Sequence, residues 1–149
     1  MKTMKVKGFD GREHTWPPTG HIVSGIDRRQ RSSLHLRCRA LLKKVYPADM
    51  ILEEVPLPGS ERLTADFYLP SRNTVYEVHG EQHYRFIAHF HGNVMKFLEA
   101  KQRDLKKIDW CNENNIGVIE LPYNEDDDGW QRRIENGAEP SREAINDVG

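Results

Sequence analysis

Leu63-Thr64-Ala65-Asp66-Phe67-Tyr68-Leu69, the turn Pro70-Ser71-Arg72-Asn73, and Thr74-Val75-Tyr76-Glu77-Val78-His79 make up the stretch on which the fold depends. Both arms are rich in aromatic and β-branched residues and are bounded by turn formers, so they predict two strands of a hairpin. Side chains alternate across a strand. Leu63, Ala65, Phe67 and Leu69 then share one face, with Thr64, Asp66 and Tyr68 opposite; in the second arm Val75, Glu77 and His79 share a face. Carboxylates are depleted in strands and rarely buried alone, yet Asp66 lies near the middle of one arm and Glu77 near the end of the other. If the faces align, Asp66, Glu77 and His79 converge. Two adjacent carboxylates repel unless a cation lies between them, which is the arrangement a magnesium site needs. The alternative is a pair of acids on a solvent face. His79-Gly80-Glu81-Gln82-His83, which adds two imidazoles beside the acids, weighs against it.

On the N-terminal side, Ser32 or Ser33 caps a helix in which Leu34, Cys38, Leu41, Leu42 and Val45 recur at helical spacing up to Tyr46-Pro47. A strand, Met50 to Val55, follows and is closed by Pro56-Leu57-Pro58-Gly59. On the C-terminal side, a long helix is expected over about Val94 to Asn114 and a buried strand over Ile116 to Leu121. Helix, three strands, helix and strand make an α/β layout: a central mixed β-sheet flanked by helices. Lys5 to Trp16, with Asp10-Gly11 at its turn, reads as a short N-terminal β-hairpin, either a nucleic-acid-contacting appendage or a cap on the core. After Pro122 an acidic segment leads into a weak amphipathic piece around Trp130 to Ile134.

The 149 residues carry a net charge of −1, which alone argues against a nucleic-acid partner. Split along the chain the charge is uneven. Residues 1–50 hold 11 Lys and Arg against 4 Asp and Glu, and residues 51–149 hold 11 against 19. The basic third includes Arg28, Arg29, Arg31, Arg37, Arg39, Lys43 and Lys44. Such a run is either a solvated face or a phosphate-binding track; Arg85, Lys101, Arg103, Lys106 and Lys107 extend it in the second reading. Asp104 falls on or beside the apolar stripe of the long helix. It either pairs with Lys107 on the helix surface or faces the sheet next to Glu77. In Phe86-Ile87-Ala88-His89-Phe90-His91-Gly92 the histidines alternate with aromatics; the stretch is read as a loop or short helix docking its aromatic residues on the core, with paired metal ligands as the alternative. No apolar run reaches the roughly 20 residues of a membrane helix. No apolar stretch follows the N-terminal charges, and Cys38 and Cys111 form no disulfide framework. A cytoplasmic protein with no membrane partner is expected.

Asp66, then ten intervening residues, then Glu77-Val78-His79 resembles the PD-(D/E)xK nuclease core. Glu77-Val78-His79-Gly80-Glu81-Gln82-His83-Tyr84 is similar to a segment of proteins related to the very-short-patch mismatch-repair endonuclease, among them the EDxHD homing endonucleases of phages. Arg103-Asp104-Leu105-Lys106-Lys107 and Asn114-Asn115-Ile116-Gly117-Val118-Ile119 look like that group's closing helix and strand. The resemblance covers about residues 32–124. It departs from the pattern in three places: Ala65 for Pro, His79 for the motif lysine, and His35 where many relatives have Glu in the early helix.

The resemblance implies a restriction-endonuclease-like core over 31–124; the hairpin and basic arm (1–30) before it and the acidic tail (125–149) after it are read from the residues themselves. It implies a metal-dependent DNA endonuclease, plausibly phage-encoded and acting in a host cytoplasm as a monomer or homodimer. Mg²⁺ or Mn²⁺ would be held by Asp66 and Glu77, with the Val78 carbonyl as a further ligand. Asp66, Glu77, His79, His83, Asp104 and His35 are the candidate catalytic set, His79 or His83 serving as the acid/base near neutral pH. Zinc on His35, His79, His83 and a carboxylate is a lesser option, since no pair has the usual zinc spacing. The alternatives in function are an RNA-cleaving enzyme of this fold and a catalytically silent nucleic-acid-binding module.

Overall fold

Asn73 closes the central hairpin in the left-handed region, φ 48 and ψ 47, a conformation Asn tolerates better than most residues. Its side-chain oxygen accepts from the Tyr68 hydroxyl at 2.8 Å, and its amide donates to the Asn115 carbonyl at 3.0 Å. The computed structural model describes residues 2–18 and 31–137. In chain order these form β1 (Met4–Lys7), β2 (Glu13–Trp16), α1 (Ser33–Val45), β3 (Leu52–Pro56), β4 (Thr64–Leu69), β5 (Thr74–His79), α2 (Ala88–His91), α3 (Val94–Glu113), β6 (Gly117–Pro122) and α4 (Asp127–Asn136). The four-stranded sheet runs β3-β4-β5-β6, antiparallel except for the parallel β5–β6 pair. The fold class is therefore the one expected: a mixed sheet flanked by helices, with an N-terminal antiparallel strand pair.

Each long helix begins on a side-chain cap. The Ser32 hydroxyl accepts from the His35 amide at 3.1 Å, Asn93 from Lys96 at 2.9 Å, and Asp126 from Gly129 at 2.8 Å; each cap contributes about 1 kcal/mol. Two cores form, one on each sheet face. Cys38, Leu41, Leu42, Phe67, Leu69, Tyr76, Ile119, Leu121, Trp130 and Ile134 pack between the sheet and α1 with α4. Val6, Trp16, Leu52, Val55, Tyr68, Val75, Trp110, Cys111 and Ile116 pack on the face covered by α3 and the β1–β2 hairpin.

The hairpin caps that second core. Trp16 is fully buried and donates to the Pro56 carbonyl at 2.8 Å, while Trp110 donates to the Lys7 carbonyl at 2.8 Å. At the other end, the stretch after residue 124, read from its charge as a tail, contains α4. Its acids form the N-cap and first turn, where negative charge suits the helix dipole. Trp130 and Ile134 are fully buried, and Trp130 donates to the Pro122 carbonyl at 2.7 Å. The docking of Phe86 and Phe90 on the core does not hold: they are 40% and 60% exposed, and His91 packs with Phe86 and Phe97 in a satellite cluster instead.

Candidate functional site

The β4–β5 ladder runs from Leu69↔Thr74 to Phe67↔Tyr76 and stops there. Beyond it the strands fork, and carboxylates take over from carbonyls. The Asp66 amide donates to Glu77 Oε2 at 2.8 Å, and the Val78 amide donates to Asp66 Oδ2 at 2.8 Å. The fork keeps its backbone donors satisfied only because acids stand at these two positions. The convergence of Asp66 and Glu77 expected from alternation is thus present.

The same row extends across the sheet. Flanking pairs set Glu54 of β3 opposite Asp66, and Glu77 lies opposite Glu120 of β6. Each strand contributes one acid. Glu54, at φ 49, is ion-paired with Arg31. Glu77, buried, receives Lys107 Nζ on Oε1 at 2.8 Å. Glu120 Oε2 lies 3.8 Å from His79 Nδ1. Asp66 has no ion pair with any described residue. Burial, and then the charge of Glu77, push its carboxyl well above the usual range, and Lys107 offsets only part of this. Lys107 thus bonds Glu77 alone, and the adjacent Asp66 has no cation bonded to it among the described residues. Oxygen donors of this kind fit a hard divalent cation, although Asp66 and Glu77 alone make only a pair.

Lys107 was expected on the phosphate track or paired with Asp104. It instead reaches inward from α3 to Glu77, bringing a lysine to the site where the resembling motif lacks one. Burial would lower its pKa, but Glu77 and Asp66 outweigh that and raise it, so it stays charged. Asp104, one turn earlier, also faces inward, where its Oδ2 meets His83 Nδ1 at 2.8 Å. Burial pushes Asp104 up, but the hydrogen bond and charge of His83 hold it below the ordinary carboxylate value. His79 and His83 stack at 4.4 Å between centroids with ring planes 6° apart. Burial and the neighbouring His83 lower the pKa of His79, against the pull of Glu120, Asp104 and Glu77. Five of the six candidate catalytic residues, Asp66, Glu77, His79, His83 and Asp104, therefore gather on the α3 side of the sheet.

His35 does not join them. It lies in α1, stacked on Phe67 at 4.4 Å, with Nε2 at 2.5 Å from Glu53 Oε1; Arg39 also clasps Glu53, at 2.9 to 3.2 Å. Zinc held jointly by His35, His79 and His83 is accordingly ruled out by position. Among the described residues, the group able to converge on a metal is His79, His83 and Asp104.

Much of the basic track is paired within the chain, Lys44 and Arg85 on its surface. Arg31 pairs with Glu54, Arg39 with Glu53, and Arg37 with Asp127 while stacking 3.8 Å over Trp130. Lys44 bonds Gln131 at 3.1 Å, Arg85 pairs with Glu81, and Lys101 donates to the His83 carbonyl at 2.8 Å. Lys43, Arg103 and Lys106 are exposed. Arg28 and Arg29 lie outside the described residues. Sequence reasoning missed Glu120 and Arg133, which line a cavity of about 630 Å³ between β6 and α4. Arg133 is held by Glu125 at 2.9 and 3.0 Å. Only the β5–β6 register, which the sequence does not display, brings Glu120 into line with Glu77.

No described protein family and no solved structure matches the chain. Over 65 residues it is 43% identical to the uncharacterized protein 307L of Invertebrate iridescent virus 6, covering 44% of this chain and 33% of that protein. Over 116 residues it is 35% identical to the uncharacterized protein 033L of Invertebrate iridescent virus 3, covering 74% of this chain and 59% of that protein. The chain thus spans between about a third and three-fifths of the length of the curated relatives it matches. Among the described residues, no helix is long and apolar enough to cross a membrane.

Proposed function

We propose that the chain is a divalent-metal-dependent nuclease that hydrolyses phosphodiester bonds in DNA, borne by a virus and acting in the host-cell cytoplasm. The observation that carries this reading is the strand fork at Asp66 and Glu77, two adjoining carboxylates of which only Glu77 is bonded to a lysine. Asp66 and Glu77 would hold Mg²⁺ or Mn²⁺, which supplies a Lewis acid and an activated water when bound. Lys107 places a fixed positive charge beside the fork, where it offsets charge building on a phosphate. His83, oriented by Asp104, accepts a proton from water or delivers one to the leaving oxygen. Exposed Lys43, Arg103 and Lys106 are the phosphate-contacting candidates left after internal pairing.

The test incubates the full chain with supercoiled plasmid, with and without magnesium, beside the Asp66→Asn variant, and with single-stranded RNA in parallel. Magnesium-dependent nicking or linearisation that disappears in Asp66→Asn is expected. Cleavage confined to RNA would change the substrate. Cleavage that persists in the variant would remove Asp66 from the site. No cleavage of any substrate, with nucleic acid still bound, would leave a silent binding module.

A further inference from the structure

We propose that His79, His83 and Asp104 form a second metal site, selective for a borderline first-row transition ion of the zinc class and separate from the oxygen pair Asp66 and Glu77. One ligand atom from each of the three residues lies within 4.8 Å of the others. Tetrahedral zinc, with bonds of about 2.0–2.2 Å to nitrogen and oxygen, sets its ligand atoms roughly 3.4 Å apart. His83 Nδ1 and Asp104 Oδ2, at 2.8 Å, are already closer than that. An ion entering between them replaces the hydrogen that now joins them, and the ring shifts to its other tautomer. His79 supplies the second nitrogen. Its side chain is 9% exposed on β5, and that of His83 is 28% exposed. The two rings stack nearly parallel, and one nitrogen of each lies within that same 4.8 Å.

The donor set decides the ion. Two imidazoles and one carboxylate suit zinc, cobalt(II) and iron(II), while magnesium requires oxygen ligands and keeps its waters. Three protein ligands leave a position open for water or substrate. Glu120 Oε2, 3.8 Å from His79 Nδ1, adds negative charge at the rim. One consequence rests on the nuclease reading: an ion bound here removes His83 from proton transfer, so zinc acts as a brake on magnesium-dependent cleavage.

The test strips the full, untagged chain with a chelator and titrates it with Co²⁺, following visible d–d absorption, and then with Zn²⁺ in competition. One saturable equivalent is expected, displaced by zinc and not by excess magnesium. His83→Ala and Asp104→Asn, with unchanged circular dichroism, should each weaken binding at least ~10-fold, while Asp66→Asn leaves it unaltered. Absence of a saturable equivalent, or wild-type binding in both variants, overturns the site. If cleavage is found, equimolar zinc should suppress it in the wild type. If no cleavage is found, the nuclease reading fails and the binding titration alone decides the metal site.

Discussion

The sheet carries two clusters of acid, histidine and cation, on opposite faces, built from the same residue types. Beneath α1, Glu53 is matched by the guanidinium of Arg39 and by the imidazole of His35, which also stacks on Phe67. Beneath α3, Lys107 pairs with Glu77 beside Asp66, with the His83–Asp104 pair alongside. In the first cluster charge and hydrogen bonding are matched residue for residue. In the second, one carboxylate has no ion pair among the described residues and is held well above its ordinary pKa by burial and by Glu77. A buried acid that is fully met is accounted for by folding. A half-buried acid with no cation bonded to it costs stability, and a protein that keeps such a cost has a use for the site. The distinction comes from partners, not from residue types.

The largest expected difference between the clusters is in rate. His83→Ala should lower metal-dependent cleavage by about 10²–10⁴-fold, the usual contribution of a positioned acid or base. His35→Ala, measured at a temperature where it remains folded, should leave the rate within a few-fold of wild type. A loss in His35→Ala equal to that in His83→Ala would place the α1 cluster in the site and erase the contrast.

The next difference is in stability, and it favours the other face. Glu53→Ala strands Arg39 and His35 in a half-buried setting without their acid, so denaturant unfolding should report a loss of about 3–5 kcal/mol. A loss below ~1 kcal/mol would mean the matched cluster contributes little to the fold.

Most of the elements were legible because each depends on local signals. Alternation around Asp66 and Glu77, the caps at Ser32 and Asn93, and the apolar spacing of the long helices all lie within a few residues of the structure they specify. The failures share one cause, which is that a partner distant in sequence decided the outcome. Arg31, Arg37 and Arg39 read as a free basic track because their acids are at Glu54, Asp127 and Glu53. Residues 125–149 read as an acidic tail with only a weak amphipathic piece around Trp130 to Ile134, because their local charge is acidic, whereas Trp130 and Ile134 are fully buried in the core beneath α1. Lys107 is ambiguous along its own helix, and only packing of α3 on the sheet aims it at Glu77.

The smallest expected effect probes the charge shortage directly. Asp66→Asn keeps an oxygen for the Val78 amide but removes the ionisable group, so in chelator it should stabilise the protein at neutral pH. In the folded chain Asp66 has a raised pKa. Its ionisation therefore costs nothing below the unfolded value of about 3.9 and progressively destabilises the wild type as pH rises toward the folded value. The difference in Tm between variant and wild type should be near zero at about pH 4 and widen toward neutrality. A gain of ~1 kcal/mol corresponds to about 2–4 °C in a chain of this size. Added magnesium should then raise the wild-type Tm and not that of the variant, since only the wild type offers the second carboxylate. A pH-independent difference, or equal stabilisation of both proteins by magnesium, would show that Asp66 is as well matched as Glu53.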